Sequence, residues 1–215
     1  MTFGWGAQFT FTDFLNKNLS NHYAVNAGIG NTNTIMQIEN FFQNFKNLYE
    51  YDVIVLNFFI NDLEQVKIQK PRFYQKYSYF FTFFSNTVNK FMIKLKVKED
   101  WDSFYSKSFN DDKFIQLTLD RIGELNAYCK KNKIKFIIHN IPELRDLDNY
   151  KFIKETQIIE NFAKINNIKF LNSHKELRNF NEEELWVTVK DPHANDLAHK
   201  IIGNFLKKEL KSILN

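Results

Sequence analysis

The sequence predicts an α/β domain with a parallel sheet, and two observations support this fold class. Short apolar runs alternate along the chain with longer segments whose apolar residues recur at helical spacing. The runs at residues 52–59 (DVIVLNFF) and 135–141 (KFIIHNI) are nearly continuous in Val, Ile and Phe. Such runs are typical of parallel strands that are covered on both faces, and alternation with helices indicates a parallel sheet.

The composition is that of one globular domain. The chain has 215 residues, of which 44% are hydrophobic and 25% charged, so residues 1–215 can form a single core of ordinary size. The net charge is only +4, and Lys and Glu are mixed along the chain, which argues against a nucleic acid partner. Cys129 is the only cysteine, which excludes a disulfide framework and predicts a small buried hydrophobic residue.

Four segments are predicted as strands and four as helices. The strands are residues 23–29 (YAVNAGI), 52–59, 135–141 and 168–172 (IKFLN). The helices are predicted within residues 32–45, 113–131 and 149–165 and in the C-terminal run that contains Ala198, Ile201, Phe205, Leu210 and Ile213.

Residues 65–112 interrupt this alternation. The segment is dense in aromatic residues, has no strand pattern and is longer than a simple crossover needs, so it is predicted as a helical insertion. It is interpreted first as additional core. Two alternatives are a lid or apolar substrate wall, and a membrane-surface or partner-binding helix within residues 73–98. The lysines that favour that last alternative are Lys90, Lys94, Lys96 and Lys98.

Polar residues follow two of the predicted strands. Asn61 comes just after residues 52–59, and Gly28, Gly30 and Asn31 lie in the turn GIGNTNT that ends the strand at 23–29. In open parallel sheets, ligands bind at the carboxyl ends of strands, and backbone N–H groups in such a turn can hold an anion. Each signal alone is more typical of an ordinary turn or helix cap than of a site. No dinucleotide fingerprint is present.

The stretch DPHANDLAH, residues 191–199, contains an Asp two positions before a His. Asp191 can fix the tautomer of His193 and leave its other ring nitrogen as a base. The alternative is that Asp191 or Asn195 caps the following helix while His193 faces water. The other histidines have no partner at metal-ligand spacing, so no metal site is predicted; His139 is expected to be a buried strand residue.

Together these segments resemble the SGNH/GDSL hydrolase family over nearly the whole chain. FGWGAQFTF is similar to the segment after the family's first block, VNAGIGNTNT to its second, FFINDLE to its third and DPHANDLAH to its last. LWV, at residues 185–187, also precedes the last block in some members. The resemblance implies a three-layer fold with a flavodoxin-like parallel sheet and ester hydrolysis by a serine, without metal or cofactor.

The resemblance assigns roles to the candidate residues. His193 matches the general base, Asp191 its orienting carboxylate, and Asn61 a side-chain donor to the oxyanion. A backbone N–H in the turn at Gly30 and Asn31, which begins at Gly28, matches a second donor. The chain departs from the family in having one residue between Asp191 and His193, Ala194 in place of a proline, and Asn31 where many members have glycine.

The largest departure concerns the nucleophile. In the family a Gly-Asp-Ser motif ends the first, central strand and directly precedes a segment like TFGWG, which here begins at Thr2. The serine and that strand are therefore expected immediately before Met1, as if the start were assigned too late. No residue within the chain is a convincing substitute: Thr2, Ser20 and Ser173 are each expected to be surface hydroxyls.

The function expected from the sequence is hydrolysis of an acyl ester, of a small molecule or a glycan. One alternative is an inactive relative that binds an acylated or glycan ligand, and another is a phosphate-binding module that uses GIGNTNT. Neither a secretory signal nor an apolar stretch of about 20 residues is present. The chain is therefore expected in the cytoplasm if Met1 is the true start, and outside it if a signal precedes Met1.

Overall fold

The computed structural model describes residues 7–64, 105–106 and 109–214. The predicted insertion at 65–112 lies largely outside these residues, as does the segment 73–98 considered for membrane contact. Among the helices that are described, none is both long and apolar enough to cross a membrane.

The described residues form an α/β structure around a parallel sheet of three strands. The strands are β1 (Val53–Phe58), β2 (Lys135–Asn140) and β3 (Lys169–Asn172), in that spatial order. Val53 lies opposite Lys135, and Ile137 lies opposite Lys169. The sheet therefore confirms the predicted fold class and three of the four predicted strands, with ends that differ by one residue.

Helices precede, separate and follow the strands along the chain. They are α1 (Phe11–Asn18), α2 (Thr34–Asn40), α3 (Asp112–Lys131), α4 (Ile153–Ile165), α5 (His174–Leu177) and α6 (Asp196–Leu214). A single π-helical turn, Phe41–Phe45, continues α2, and a short 3-10 helix, Ile60–Leu63, follows β1.

The same turn connects α3 to β2 and α4 to β3. Lys133 and Asn167 adopt left-handed backbone conformations, with φ of 59° and 54°. The next residues, Ile134 and Ile168, donate their N–H groups to carbonyls five positions earlier in the preceding helix. This pattern closes a helix C-terminus and turns the chain sharply, so each helix passes directly into its strand.

Alternate residues of the strands contribute to two cores on opposite faces of the sheet. Leu56, Phe58 and Ile138 pack with α3 and α4 on one face. Ile137 and Leu171 pack with α1 and α6 on the other. A Cβ at Gly203 of α6 would lie 2.6 Å from the ring of Phe14, so α1 and α6 approach closely only because this residue is a glycine.

The predicted strand at residues 23–29 is wrong. This segment is irregular and does not pair with a strand. Its backbone is instead held by side chains: Asn16 bonds both the N–H and the carbonyl of Ala24, at 2.6 and 2.9 Å, and Asn40 reaches the carbonyl of Ala27. A strand forms only where another strand completes its hydrogen bonds, and no strand of the described chain lies beside residues 23–29.

A two-stranded antiparallel hairpin was not predicted. It consists of β4 (Trp186–Thr188) and β5 (Asp191–Ala194), and a short 3-10 helix, Glu182–Leu185, leads into it. The stretch DPHA is thus a short strand rather than the first residues of a helix.

Candidate active site at the carboxyl edge of the sheet

The candidate residues lie at the carboxyl ends of the parallel strands. Asn61 follows β1 directly, and His193 lies three residues before α6 begins. Helix α6 runs antiparallel to the strands, because the ammonium of Lys135 at the start of β2 bonds the carbonyl of Ile213 near the end of the helix. The start of α6, and His193 with it, therefore lies at the opposite, carboxyl edge.

Asp191 and His193 form a hydrogen-bonded pair on β5, as the sequence predicted. Nδ1 of His193 bonds Oδ1 of Asp191, which also accepts the backbone N–H of His193 at 3.2 Å. Because Nδ1 donates, Nε2 carries the free lone pair. The His193 side chain is 68% exposed, so Nε2 is accessible from solvent. These hydrogen bonds lower the pKa of Asp191 below its usual value and keep it ionised.

Asn195 fixes the position of this hairpin. Its Oδ1 accepts the N–H groups of Leu197 and Ala198 and so caps α6, while its Nδ2 donates to the carbonyls of Glu184 and Trp186. Both interpretations of DPHANDLAH therefore apply to different residues: Asp191 orients His193, and Asn195 caps the helix.

The hairpin is also tied to the sheet and to the first described residues. The indole N–H of Trp186 donates to the carbonyl of Leu144 in the loop after β2. Asp196 accepts the N–H groups of Gln8 and Phe9 at 2.7 and 3.1 Å. The segment that resembles the end of the family's first block thus lies beside the last block.

The turn before α2 and the loop after β1 are joined by a second set of contacts. Asn33 donates to the carbonyl of Glu64 at 3.0 Å, and Gln37 donates to Oδ1 of Asp62 at 3.0 Å. Oδ2 of Asp62 accepts the N–H of Phe59. Asp62 therefore links the loop after β1 to α2. Its burial raises the pKa of its carboxyl to about 6.

Asn61 is exposed, and its loop is joined by these contacts to the start of α2, which the turn at Gly30 and Asn31 precedes. Asn31 has a left-handed backbone with φ of 57°, a conformation that asparagine and glycine adopt most readily. Gly28 lies two residues before the turn. Among the described residues, no hydrogen bond joins the Asp191–His193 pair to Asn61 or to Gly28, Gly30 and Asn31, so their convergence into one site stays a prediction.

A second histidine site lies beneath this edge. Nδ1 of His139 on β2 bonds Oδ1 of Asn57 on β1 at 2.7 Å, and Nε2 bonds Oγ of Ser173, just after β3, at 2.6 Å. Because an amide oxygen only accepts, Nδ1 carries the proton and Nε2 accepts from the serine hydroxyl. His139 and Ser173 are both fully buried. Burial lowers the pKa of His139 to about 3 and keeps the ring neutral.

The expectation for Ser173 was therefore wrong, whereas that for His139 was correct. Ser173 is not a surface hydroxyl, because it is buried between the end of β3 and the start of α5. Its N–H also bonds the carbonyl of Asn140. The sequence did carry a signal that was missed. Asn57 and His139 directly follow apolar runs near the carboxyl ends of β1 and β2, Ser173 comes just after β3, and parallel pairing brings such positions together.

The remaining polar groups of the described residues form no recognisable metal site. In residues 7–64 and 109–214, no group of three or more His, Cys, Asp or Glu side chains is arranged to hold a metal ion. Cys129 is buried in the core, and burial raises the pKa of its thiol to about 12. Comparisons of the chain with protein-family models, with curated proteins and with solved structures found no match in any of the three.

Proposed function

We propose that this chain is the larger part of a serine ester hydrolase of the SGNH/GDSL type, in which His193 is the general base. Asp191 holds the ring, Asn61 and a backbone N–H in the turn at Gly30 and Asn31 stabilise the oxyanion, and the substrate is an acyl ester of a small molecule or glycan. The proposed sheet is flavodoxin-like, with a central strand and the serine contributed by residues ahead of Met1.

The observation that carries the proposal is the exposed Asp191–His193 pair. A carboxylate on Nδ1 fixes the tautomer that leaves Nε2 as a proton acceptor, which is the arrangement that activates a serine hydroxyl. The pair lies on a hairpin held at both ends by Asn195 and Trp186. A base positioned in this way loses little entropy when it meets its substrate.

The reaction requires a hydroxyl that the described residues do not bring to His193. In the proposed mechanism, His193 removes the proton of the upstream serine as its oxygen attacks the ester carbonyl. The developing negative charge is held by Asn61 and the turn amide. His193 then protonates the leaving alcohol, and water repeats the same steps to release the acid.

The test is to compare the 215-residue chain with a chain extended by the residues encoded in frame ahead of Met1. The short chain is expected to hydrolyse p-nitrophenyl acetate negligibly, and the extended chain to hydrolyse it and to lose activity to a serine-directed inhibitor. The matched control replaces the new serine with alanine. If the extended chain is stable but inert, the hydrolase proposal fails and the binding-module alternative is favoured.

A further inference from the structure

The loop between β2 and α4, residues 141–152, contains a buried ion pair that the proposed mechanism does not use. The Glu143 side chain is only 3% exposed. Nε of Arg145 donates to Oε1 of Glu143 at 2.6 Å, and the backbone N–H of Arg145 donates to Oε2 at 2.8 Å. The hydroxyl of Tyr105 also bonds the Arg145 side chain. Both carboxylate oxygens accept a hydrogen bond from the same residue, so they fix residues 143–145 in one tight turn.

Two aromatic residues fasten the rest of this loop. The hydroxyl oxygen of Tyr150 accepts the N–H of Glu143 at 3.3 Å, and the Tyr150 ring lies 4.7 Å from the ring of His174 at the start of α5. Nε2 of His174 donates to the carbonyl of Leu147 at 2.8 Å, since a carbonyl only accepts. The loop is therefore attached at several points between residues 143 and 150.

The loop in turn holds the segment that leads into the hairpin of His193. Asp146 has a left-handed backbone with φ of 58°, and its N–H donates to Oε2 of Glu182, in the 3-10 helix before β4. The carbonyl of Leu144 accepts the indole N–H of Trp186, the first residue of β4, at 3.2 Å. Apolar contacts support these two bonds, because Leu144 is buried in the same core as Leu185.

One peptide group connects the ion pair to the hairpin. The group between Leu144 and Arg145 donates its N–H to Glu143 and accepts the indole N–H of Trp186 on its carbonyl. A trans peptide is planar, and its N–H and carbonyl point in opposite directions, so the carboxylate that binds one end orients the other. Trp186 lies opposite Ala194, the neighbour of His193. A continuous path of bonds therefore runs from the buried carboxylate to the strand of the proposed base.

We propose that Glu143 is a positioning residue for His193, which acts by orienting the peptide group that holds Trp186. The inference rests on the proposed function for the role of His193 as a base, but the contact itself can be measured without any hydrolysis. A base that is slightly misplaced transfers a proton more slowly although the substrate still binds. Loss of the Glu143 carboxylate should therefore affect kcat more than KM.

The first experiment uses the 215-residue chain and measures hydrogen exchange at two sites. These are the indole N–H of Trp186 and the amide of Asn195, which bonds the carbonyl of Leu185 across the hairpin. Exchange at the amides of β2 serves as the reference for global unfolding. The test variant is Glu143→Met, which keeps the length of the side chain without its two acceptor oxygens. Glu143→Gln, which keeps one acceptor, is the conservative variant.

Glu143→Met is expected to speed exchange at both sites by about tenfold relative to β2, the effect of roughly one lost hydrogen bond. Glu143→Gln should restore part of this protection. Trp186→Phe should speed exchange at Asn195 similarly, and combining it with Glu143→Met should add nothing, because both changes break the same path.

The matched control is Ile122→Ala, which creates a cavity in the core on the other face of the sheet. This variant should lose stability without speeding exchange at Asn195 more than in β2. The inference is overturned if Glu143→Met leaves exchange at both sites unchanged relative to β2. It is also overturned if the effects of Glu143→Met and Trp186→Phe add.

The second experiment uses the chain extended by the residues encoded in frame ahead of Met1. Glu143→Met should lower kcat on p-nitrophenyl acetate by about tenfold with little change in KM, whereas Ile122→Ala should change neither. Equal falls in kcat for the two variants would overturn the positioning role. If Glu143→Met alters exchange in the hairpin but the extended chain hydrolyses no ester, the link from Glu143 to the hairpin stands and the proposed function fails.

Discussion

The two histidines at the carboxyl edge have similar bonds but opposite surroundings. His193 bonds a carboxylate through Nδ1 and leaves Nε2 in solvent, whereas His139 bonds an amide through Nδ1 and a serine hydroxyl through Nε2. His139 and Ser173 are hydrogen-bonded in the way that a catalytic histidine and serine are, yet neither side chain is accessible to solvent. Hydrogen-bond topology alone therefore does not distinguish a base from a structural ring. The distinction comes from exposure and from whether the partner on Nδ1 carries a charge that can stabilise an imidazolium.

The largest expected effect comes from removing the exposed ring. In a chain extended by the residues encoded in frame ahead of Met1, His193→Ala should lower kcat on p-nitrophenyl acetate by at least about 10³-fold, because the proposed mechanism relies on His193 as its base. The melting temperature should hardly change, since the side chain is largely exposed. Lys190→Ala, an exposed change in the same hairpin, is the matched control. A large fall in melting temperature with unchanged kcat would mean that His193 is structural.

Removing the buried ring of His139 should mainly reduce stability, whereas removing that of His193 should mainly reduce kcat. His139→Ala is expected to lower the free energy of unfolding by about 3–5 kcal/mol, because it creates a cavity and leaves Asn57 and Ser173 without their partner. Urea unfolding of the 215-residue chain measures this loss, with His193→Ala as the control. Equal stability of the two variants would contradict the assignment of His139 to a structural network.

The pH dependence of stability should also separate the two sites. The folded state holds the pKa of His139 near 3, and the unfolded value is about 6.5, so only the unfolded state takes up a proton between them. Stability should therefore fall as pH drops below about 6.5, by roughly 1.4 kcal/mol per pH unit.

The measurement is the difference in unfolding free energy between the wild type and His139→Gln from pH 7 to 4.5. Asp62, whose pKa is raised to about 6, has the opposite sign in part of this range, but it is common to both chains and cancels. A difference that does not change with pH would show that His139 titrates normally.

The smallest effect is expected from the serine in the buried network. Ser173→Ala should cost about 1–2 kcal/mol, because Nε2 of His139 loses its donor but no large cavity forms. Ser212→Ala, on the exposed part of α6, should change stability by less than about 0.5 kcal/mol. In the extended chain, Ser173→Ala should leave esterase activity unchanged. Loss of activity with unchanged stability would make Ser173 the nucleophile and reverse the comparison.

The fold class was predictable because its signals are local. The strands β1, β2 and β3 each contain an uninterrupted run of apolar residues, and the helices between them show clear periodicity, so both the elements and their parallel pairing followed from the sequence. Residues 23–29 have the composition of a strand but form none, because a strand requires a neighbour that composition cannot supply. The hairpin at Asp191 was missed because its strands have only three and four residues, and the proline in DPHA weakens the strand signal.

The sequence predicted only those contacts of the site that are local. Asp191 and His193 are two residues apart, so the hydrogen bond between them depends on local geometry that the sequence indicated. The Asn57–His139–Ser173 network joins residues 82 and 34 positions apart, and only the strand register places them together. The catalytic roles of His193, Asp191, Asn61, Gly28, Gly30 and Asn31 remain predictions.

The uncharged edge of β1 also has a consequence for handling the protein. Two copies of the 215-residue chain can pair their β1 edges into a dimer, since VIVLNF contains neither a charge nor a proline and no strand of the described residues covers that edge. The mean particle mass measured by light scattering should therefore rise with protein concentration, and Val55→Pro, which removes an N–H that faces away from β2, should suppress the rise.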